Sequence, residues 1–330
     1  MTALGLGCAA FGNLYAEVSA TTATATLRSA WELGVRHFDT APHYGLGLSE
    51  RRVGDALRAV GAATGPLASA GDVPAGPALV STKAGRLLEP NPDHVAVDRD
   101  PEGFVVPAAL RRRWDFTPDG LRRSLEESLE RLGIDRVDTL YLHDPDVYDL
   151  ETGIRTSLPA LARLRDEGVV RRIGVGSNDE TALARCVREA DLDVVMCAGR
   201  YTLLEQPASR ELLPLCLERG VAVVAAGVYN SGALATDDFP DVVLYNYEPA
   251  PPEVVGRLRR LHELCAAHGV TVPQAAVRFV ARHPAVEVVM LGARSPEEVR
   301  QAHERFTAEV PDALWDDLPA ALGVETPDAR

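Results

Sequence analysis

A single (β/α)8 barrel over residues 1–330 is the fold the sequence predicts, and three observations predict it. Short β-rich runs recur, and each is followed by a stretch with helical periodicity, as in parallel βα units. Eight such runs can be counted along the chain. The rival doubly wound sheet announces itself with GxGxxG straight after its first strand, and here Ala9-Ala10-Phe11-Gly12 follows instead.

The strand runs fall at 4–8, 35–39, 79–83, 137–143, 169–175, 194–197, 221–225 and 286–291. Between them lie helices with their own start and stop signals. Leu121, Leu125, Leu129 and Leu132 share one face, opened by Thr117-Pro118 and closed by Gly133. Comparable stripes are Leu27-Ala30-Trp31 before Gly34, Leu158-Leu161-Leu164 before Gly168, and Leu258-Leu261-Leu264-Cys265 before Gly269. Gly5-Leu6-Gly7 and Gly45-Leu46-Gly47 are incomplete glycine patterns and read as a tight strand and a loop.

Three insertions interrupt the repeat. Residues 61–78 precede the third strand, at the barrel end that serves stability, and read as a surface loop. Residues 84–116 follow the third strand and 227–251 the seventh, so both long loops reach the face where barrels build their sites. The first is expected to act as a lid. The second carries Tyr229, Asn230, Ser231, Tyr245 and Tyr247 and is expected to fold over a bound ligand.

A net charge of −14 opposes a phosphate backbone, and the Arg111-Arg112-Arg113 run is too short to reverse it, which excludes nucleic acid as a partner. That run reads as a solvated loop, with contact to an anionic ligand left open. No stretch approaches the roughly 20 apolar residues needed to span a bilayer. The N-terminus, MTALGLGCAAFGNLY, lacks the basic n-region of a secretory signal, so a cytoplasmic protein is expected, as monomer or homodimer. Cys8, Cys186, Cys197, Cys216 and Cys265 are scattered without CxxC spacing or a His pattern, which predicts reduced, packed thiols and no metal site.

Three consecutive strands end in ionisable residues: Asp39 in FDTAPHYG, Lys83 in VSTKAGR and His143 in LYLHDPD. Tyr44 lies five residues beyond Asp39. Such strand ends converge at one barrel mouth. A phenol titrating near pH ~10 must be perturbed to serve at neutral pH. Lys83 is expected to lower the Tyr44 pKa, with Asp39 holding Lys83 charged and His143 bonding the reacting oxygen. The set predicts an acid/base for a carbonyl/alcohol pair. His43 reads as a loop residue, and Asp144 and Asp146 as turn-formers.

The segments FDTAPHYGLGLSERRVGDAL, VSTKAGR, SLEESLERLGIDRVDTLYLHDPD, GVVRRIGVGSN and GARSPEEV resemble the aldo-keto reductase superfamily, in family order and over nearly the whole chain. The resemblance implies a (β/α)8 barrel, NAD(P) bound without a Rossmann motif, and direct hydride transfer. It also implies a catalytic tetrad of Asp39, Tyr44, Lys83 and His143. GNLY, YGLGLSERR, AGRYTLLEQ, YNSGALA and YNYEPAPPEV are most similar to the aldose dehydrogenase branch, which oxidises L-fucose, D-arabinose, L-galactose and related sugars at C1. Pyridoxal dehydrogenases, which oxidise a cyclic hemiacetal to a lactone, stand close by.

By the same resemblance Ser177 and Asn178 bond the nicotinamide carboxamide, although Asn178 is also placed to cap the next helix. Two positions depart from the family pattern: Ala198 replaces a Gln that helps hold the carboxamide, and Ala226 replaces a stacking aromatic. Near the C-terminus, Gly292, Ala293, Arg294 and Ser295 join a strand end to a helix start, where backbone N–H groups suit an adenosine phosphate. Ser295-Pro296-Glu297-Glu298 also reads as a capping box. Glu298 suits a ribose 2′-OH and opposes a 2′-phosphate, which favours NAD over NADP.

The substrate pocket is expected to use Asn13, Tyr15, His43 and Trp114, with Tyr148 nearby; Trp114 is equally placed to anchor the lid. Aldose oxidation is the leading function. The alternatives are pyridoxal 4-dehydrogenation, a broad NADPH-dependent aldehyde reduction, and a nucleotide-binding regulatory subunit, which the intact tetrad opposes.

Overall fold

The computed structural model describes residues 2–62, 76–93, 99–245 and 248–322. Alternation begins with β1 (Ala3–Gly7), α1 (Ala20–Glu32), β2 (His37–Asp39), α2 (Leu48–Ala59) and β3 (Leu79–Ala84). A hairpin of β4 (Arg86–Pro90) and β5 (Leu110–Trp114) follows, then α3 (Pro118–Leu132) and β6 (Thr139–His143). Next come α4 (Pro145–Tyr148), α5 (Leu150–Thr152), α6 (Leu158–Asp166), β7 (Arg172–Ser177), α7 (Glu180–Glu189) and β8 (Val194–Ala198). The chain continues through α8 (Leu212–Arg219), β9 (Ala222–Ala226), a short pair β10 (Leu244–Tyr245) and β11 (Glu248–Pro249), and α9 (Pro252–Ala267). It ends with α10 (Val272–Ala281), β12 (Val286–Gly292), α11 (Pro296–Thr307) and α12 (Asp312–Leu322).

The strands β1, β2, β3, β6, β7, β8, β9 and β12 close into a parallel barrel in chain order, so each expected run occupies its expected place. Parallel strands buried on both sides need apolar filling within and without. Tyr141, Val194, Met196, Val224, Val288 and Met290 fill the interior.

Outside, the helices bury the stripes read from the sequence. Leu121, Leu125 and Leu132 of α3 are at most 1% exposed. The Thr117 side chain caps this helix by accepting from Gly120 N–H, and Gly133 closes it in the left-handed conformation. Glu50 of α2, fully buried, accepts from Thr82 at 2.8 Å and from Arg131 of α3 at 2.5 Å. This buried pair pins both helices against the strand that carries Lys83.

Each long loop carries structure of its own. The lid folds back as the antiparallel β4–β5 pair, with Arg86 opposite Trp114. Consequently Arg111, Arg112 and Arg113 lie in a strand, which corrects the solvated-loop reading. Arg112 is nearly buried in a two-pronged pair with Asp100, both bonds 2.7 Å, and donates to the His43 carbonyl. The segment after β9 pairs β10 with β11. Most of the 61–78 insertion and Tyr247 lie outside the described residues.

Among the described residues no helix is long and apolar enough to cross a membrane, and no cluster of His, Cys, Asp or Glu could hold a metal ion. All five cysteines are free and buried.

Candidate active site

Asp39, Lys83 and His143 close β2, β3 and β6 at the same end of the barrel and are 2%, 3% and 6% exposed. Tyr44 reaches them because the chain turns sharply after Ala41. Gly45, Leu46 and Gly47 all take positive φ there. Gly12 makes the close approach that admits this turn, since a Cβ on it would lie 2.6 Å from the Tyr44 carbonyl carbon.

Lys83 is the hub. Its Nζ donates to Asp39 Oδ2 at 2.5 Å, to the Thr40 carbonyl at 3.0 Å and to the Tyr44 hydroxyl at 3.0 Å. Ser81 holds the other Asp39 oxygen at 2.7 Å. Burial alone would neutralise the ammonium, but the carboxylate and phenol beside it raise its pKa overall. Lys83 therefore stays charged, as the sequence suggested.

Tyr44 departs from expectation. Burial pushes its phenol pKa up, and the opposing pull of Lys83 does not overcome it. The phenol is held in its acid form, suited to giving a proton to a carbonyl oxygen; the reverse direction needs the phenolate, so Tyr44 must first release its proton. His143 is neutral, its pKa driven well down by burial and by the Arg86 and Lys83 cations. Its ring meets Tyr44 edge-on at 6.1 Å between centroids. It can bond a reacting oxygen without adding charge.

Two residues beside this set were given no site role by sequence reasoning. Arg86, three residues past Lys83, donates to Asp144 Oδ2 at 2.5 Å and to His43 Nδ1 at 2.9 Å, and lies 4.2 Å over the Trp114 ring. Asp144 adopts a left-handed backbone (φ 44°) that brings its carboxylate 3.4 Å from His143 Nε2. Burial pushes its pKa up to about 6, against the pull of Arg86. Asp144 is thus part of the site as well as a turn residue. The signal for Arg86 was present in VSTKAGR, three residues past Lys83.

His43 belongs to the same cluster, and burial with the nearby Arg86 and Arg112 cations drives its pKa down to about 2. Trp114 takes the anchoring role, stacked on Tyr148 at 5.1 Å and edge-on to Phe116. Asn13 spends its side chain on bonds within the chain. Its amide donates to the Val105 carbonyl and its oxygen accepts from Val18 N–H and Arg52, so the side chain staples the first loop to the lid. Tyr15 sits at the rim, 63% exposed, with its ring against Gly103 of the lid.

On the opposite half of the mouth, Ser177 gives its proton to Asp146 at 2.6 Å and accepts from Asp179 N–H at 2.9 Å. Asn178 is exposed, and the cap of α7 is Asp179, not Asn178. Ala198 and Ala226 pair side by side at the ends of β8 and β9, each followed by a glycine with positive φ, Gly199 and Gly227. Tyr229 packs into the hydrophobic core instead of turning over this floor. Glu205, unremarked in the sequence, accepts from Asn230 at 3.0 Å and Tyr245 at 2.5 Å and pairs with Arg200, joining the loops after β8 and β9.

At the end of β12, Gly292 and Arg294 are exposed and Ala293 is buried. Ser295 caps α11, accepting from Glu298 N–H at 3.2 Å. The other half of the expected capping box is absent. Glu298 instead accepts from the Arg294 backbone N–H at 2.7 Å and from its guanidinium at 2.9 Å, because that cation outcompetes the neutral Ser295 N–H.

The aldo/keto reductase family profile matches residues 3–321. The chain is 46% identical over 326 residues to D-threo-aldose 1-dehydrogenase of Pseudomonas sp, covering 98% of this chain and 95% of that protein. It is 38% identical over 327 residues to pyridoxal 4-dehydrogenase of Microbacterium luteolum, covering 96% and 93%. The glycerol dehydrogenase AKR11B4 of Gluconobacter oxydans superposes with a TM-score of 0.72 at 22% identity, over 99% of this chain and 94% of that one, a likeness of fold.

Proposed function

The chain belongs to the aldo-keto reductase family and is an NAD(P)-dependent oxidoreductase, and from that premise we propose that it oxidises aldoses at C1 to lactones, with NAD as the preferred acceptor. The observation that carries this reading is the Lys83 ammonium bonded at once to Asp39 and to Tyr44, beside a neutral His143. Tyr44, Asp39, Lys83 and His143 are the catalytic set. The aldose substrate rests on the 46% identity to D-threo-aldose 1-dehydrogenase.

When bound, the nicotinamide supplies a hydride acceptor. The low floor of Ala198, Gly199, Ala226 and Gly227 fits a flat ring without a stacking aromatic, and Asn178 at the end of β7 would meet its carboxamide. Gly292, Ala293, Arg294 and Ser295 present the N-terminus of α11 to a phosphate. In the oxidation, C1 of the hemiacetal would give up hydride while its hydroxyl proton passes to the Tyr44 oxygen, which must first have released its own proton to solvent; Lys83, held charged by Asp39, stabilises the phenolate so formed. His143 bonds the same oxygen.

Glu298 supports NAD, since it occupies the guanidinium of Arg294 and adds a negative charge where a 2′-phosphate would need a positive one. Beside the same helix runs a groove of about 900 Å3 lined by Asp237, Asp238, Asp241, Glu297 and Glu304, with Arg305 as its one described cation. A second reading, pyridoxal oxidation, is supported by the 38% identity to pyridoxal 4-dehydrogenase and uses the same chemistry. We place the protein in the cytoplasm as one barrel unit over 1–330, monomeric or homodimeric.

The test is a screen of NAD and NADP reduction over L-fucose, D-arabinose, L-galactose and pyridoxal, with Tyr44→Phe as control. Aldose-dependent NADH formation that drops by about 10²- to 10⁴-fold in Tyr44→Phe is expected. Turnover of pyridoxal alone overturns the aldose reading, a strong NADP preference overturns the cofactor reading, and an unimpaired Tyr44→Phe overturns the catalytic assignment.

A further inference from the structure

We propose that Asp144 is a specificity-determining residue that accepts a hydrogen bond from the hydroxyl on the carbon next to the reacting one, so that the site selects 2-hydroxy sugars over their deoxy counterparts. This rests on the C1 reading above and deepens it.

Asp144 follows His143 directly, yet its left-handed backbone sets its carboxylate beside the His143 ring instead of leading it away. The distance from Asp144 Oδ2 to His143 Nε2 is 3.4 Å, too long and misdirected for a bond between them. Neighbouring oxygens on a sugar ring stand about a hydrogen-bond length apart. An oxygen held by His143 and Tyr44 therefore leaves its neighbour within reach of the carboxylate.

The carboxylate has acceptor capacity to spare. Arg86 takes Oδ2, and among the described residues no group donates to Oδ1, while the side chain stays 20% exposed. A carboxylate offers about four lone-pair sites, and burying them unmet is costly. Arg86 cannot swing over to fill them, since it is fixed by His43 Nδ1 and by the Trp114 ring. Hydroxyl donors from a sugar meet that need. A substrate without the adjacent hydroxyl leaves the carboxylate short of a donor, and buried polar groups left unpaired are the strongest source of discrimination a pocket has.

The test compares kcat/KM for an aldose and its 2-deoxy analogue in the wild type, Asp144→Ala, Asp144→Asn and Arg86→Met. The wild type is expected to favour the 2-hydroxy sugar, and Asp144→Ala to narrow that ratio by about 10- to 100-fold, the scale of a hydrogen bond to a charged group. Asp144→Asn, which keeps an acceptor without the charge, narrows it less and guards against misfolding of the alanine variant. If Asp144 serves only to seat Arg86, then Asp144→Ala and Arg86→Met lower both sugars in parallel and the ratio holds, which overturns the inference. A wild type that oxidises no aldose removes the C1 reading and this inference with it. Aldose oxidation with an unchanged ratio in both Asp144 variants removes the inference alone.

Discussion

At the ends of β2, β3 and β6 the barrel mouth carries Asp39, Lys83 and His143, all at most 6% exposed, whereas at the ends of β8 and β9 it carries Ala198 and Ala226. The first half is a bonded network whose members fix one another: Ser81 on Asp39, Asp39 on Lys83, Lys83 on Tyr44. The second is a low floor bordered by loops that Glu205 ties together. On the proposed function, proton transfer needs groups already in place when the substrate arrives, which a half built into the strands provides. On the same proposal, the other half, with its small side chains, leaves the room and backbone donors that an extended ligand needs.

The comparison breaks most sharply at Lys83. Replacing it by Met removes the cation that steadies the Tyr44 oxygen, and activity is expected to fall by about 10²- to 10⁴-fold. It also leaves Asp39 as an unpaired buried charge, which costs about 3–5 kcal/mol of stability. Adding Asp39→Asn removes that charge, so the double variant should regain thermal stability without regaining turnover. A single variant as stable as the wild type would mean that the network is not what holds this half together.

A pH profile sharpens the same half with a smaller effect. The groups facing Asp144 are Arg86 of β4, Lys83 of β3, His143 of β6, Glu102 of the lid and Asp146 of α4, and burial outweighs their net pull. With its pKa pushed up to about 6, Asp144 is protonated below that pH and is then a poorer acceptor for a substrate hydroxyl. His143 and His43 are already neutral across this range and contribute no limb. Asp144 should therefore add up to about tenfold to the rise of aldose kcat/KM between pH ~5 and ~7, on top of the rise from deprotonating Tyr44, and that added part should vanish in Asp144→Asn. A limb that persists in that variant belongs to another group.

The two halves also differ in how far they could be read from the chain. Eight strands follow from local periodicity and the charges that end three of them stand in short motifs, so the fold and the meeting of Asp39, Lys83 and Tyr44 were legible. What failed depends on contacts distant in sequence. Asn13 is claimed by Val105, 92 residues away, and Arg86 gains its role only when the hairpin brings Trp114 across it. The Tyr44 pKa could not be read because it is decided by burial, and Ser295–Glu298 misled because a local pattern did not foresee competition from the Arg294 guanidinium.

The smallest expected effect lies in the cofactor half, at Glu298. Its carboxylate holds Arg294 by two guanidinium bonds and one backbone bond, yet Arg294 is 59% exposed and Glu298 35%, so water screens the pair. Exposed pairs of this kind contribute about 0.2–1 kcal/mol. Glu298→Gln removes the negative charge and loosens Arg294, and both changes favour a 2′-phosphate. The ratio of kcat/KM for NADP over that for NAD should rise by about 2- to 5-fold, the range those energies translate to. The rate with NAD at saturation should change little, because Glu298 lies at the start of α11, away from the strand ends that carry the tetrad. An unchanged cofactor ratio would show that Glu298 does not set the preference.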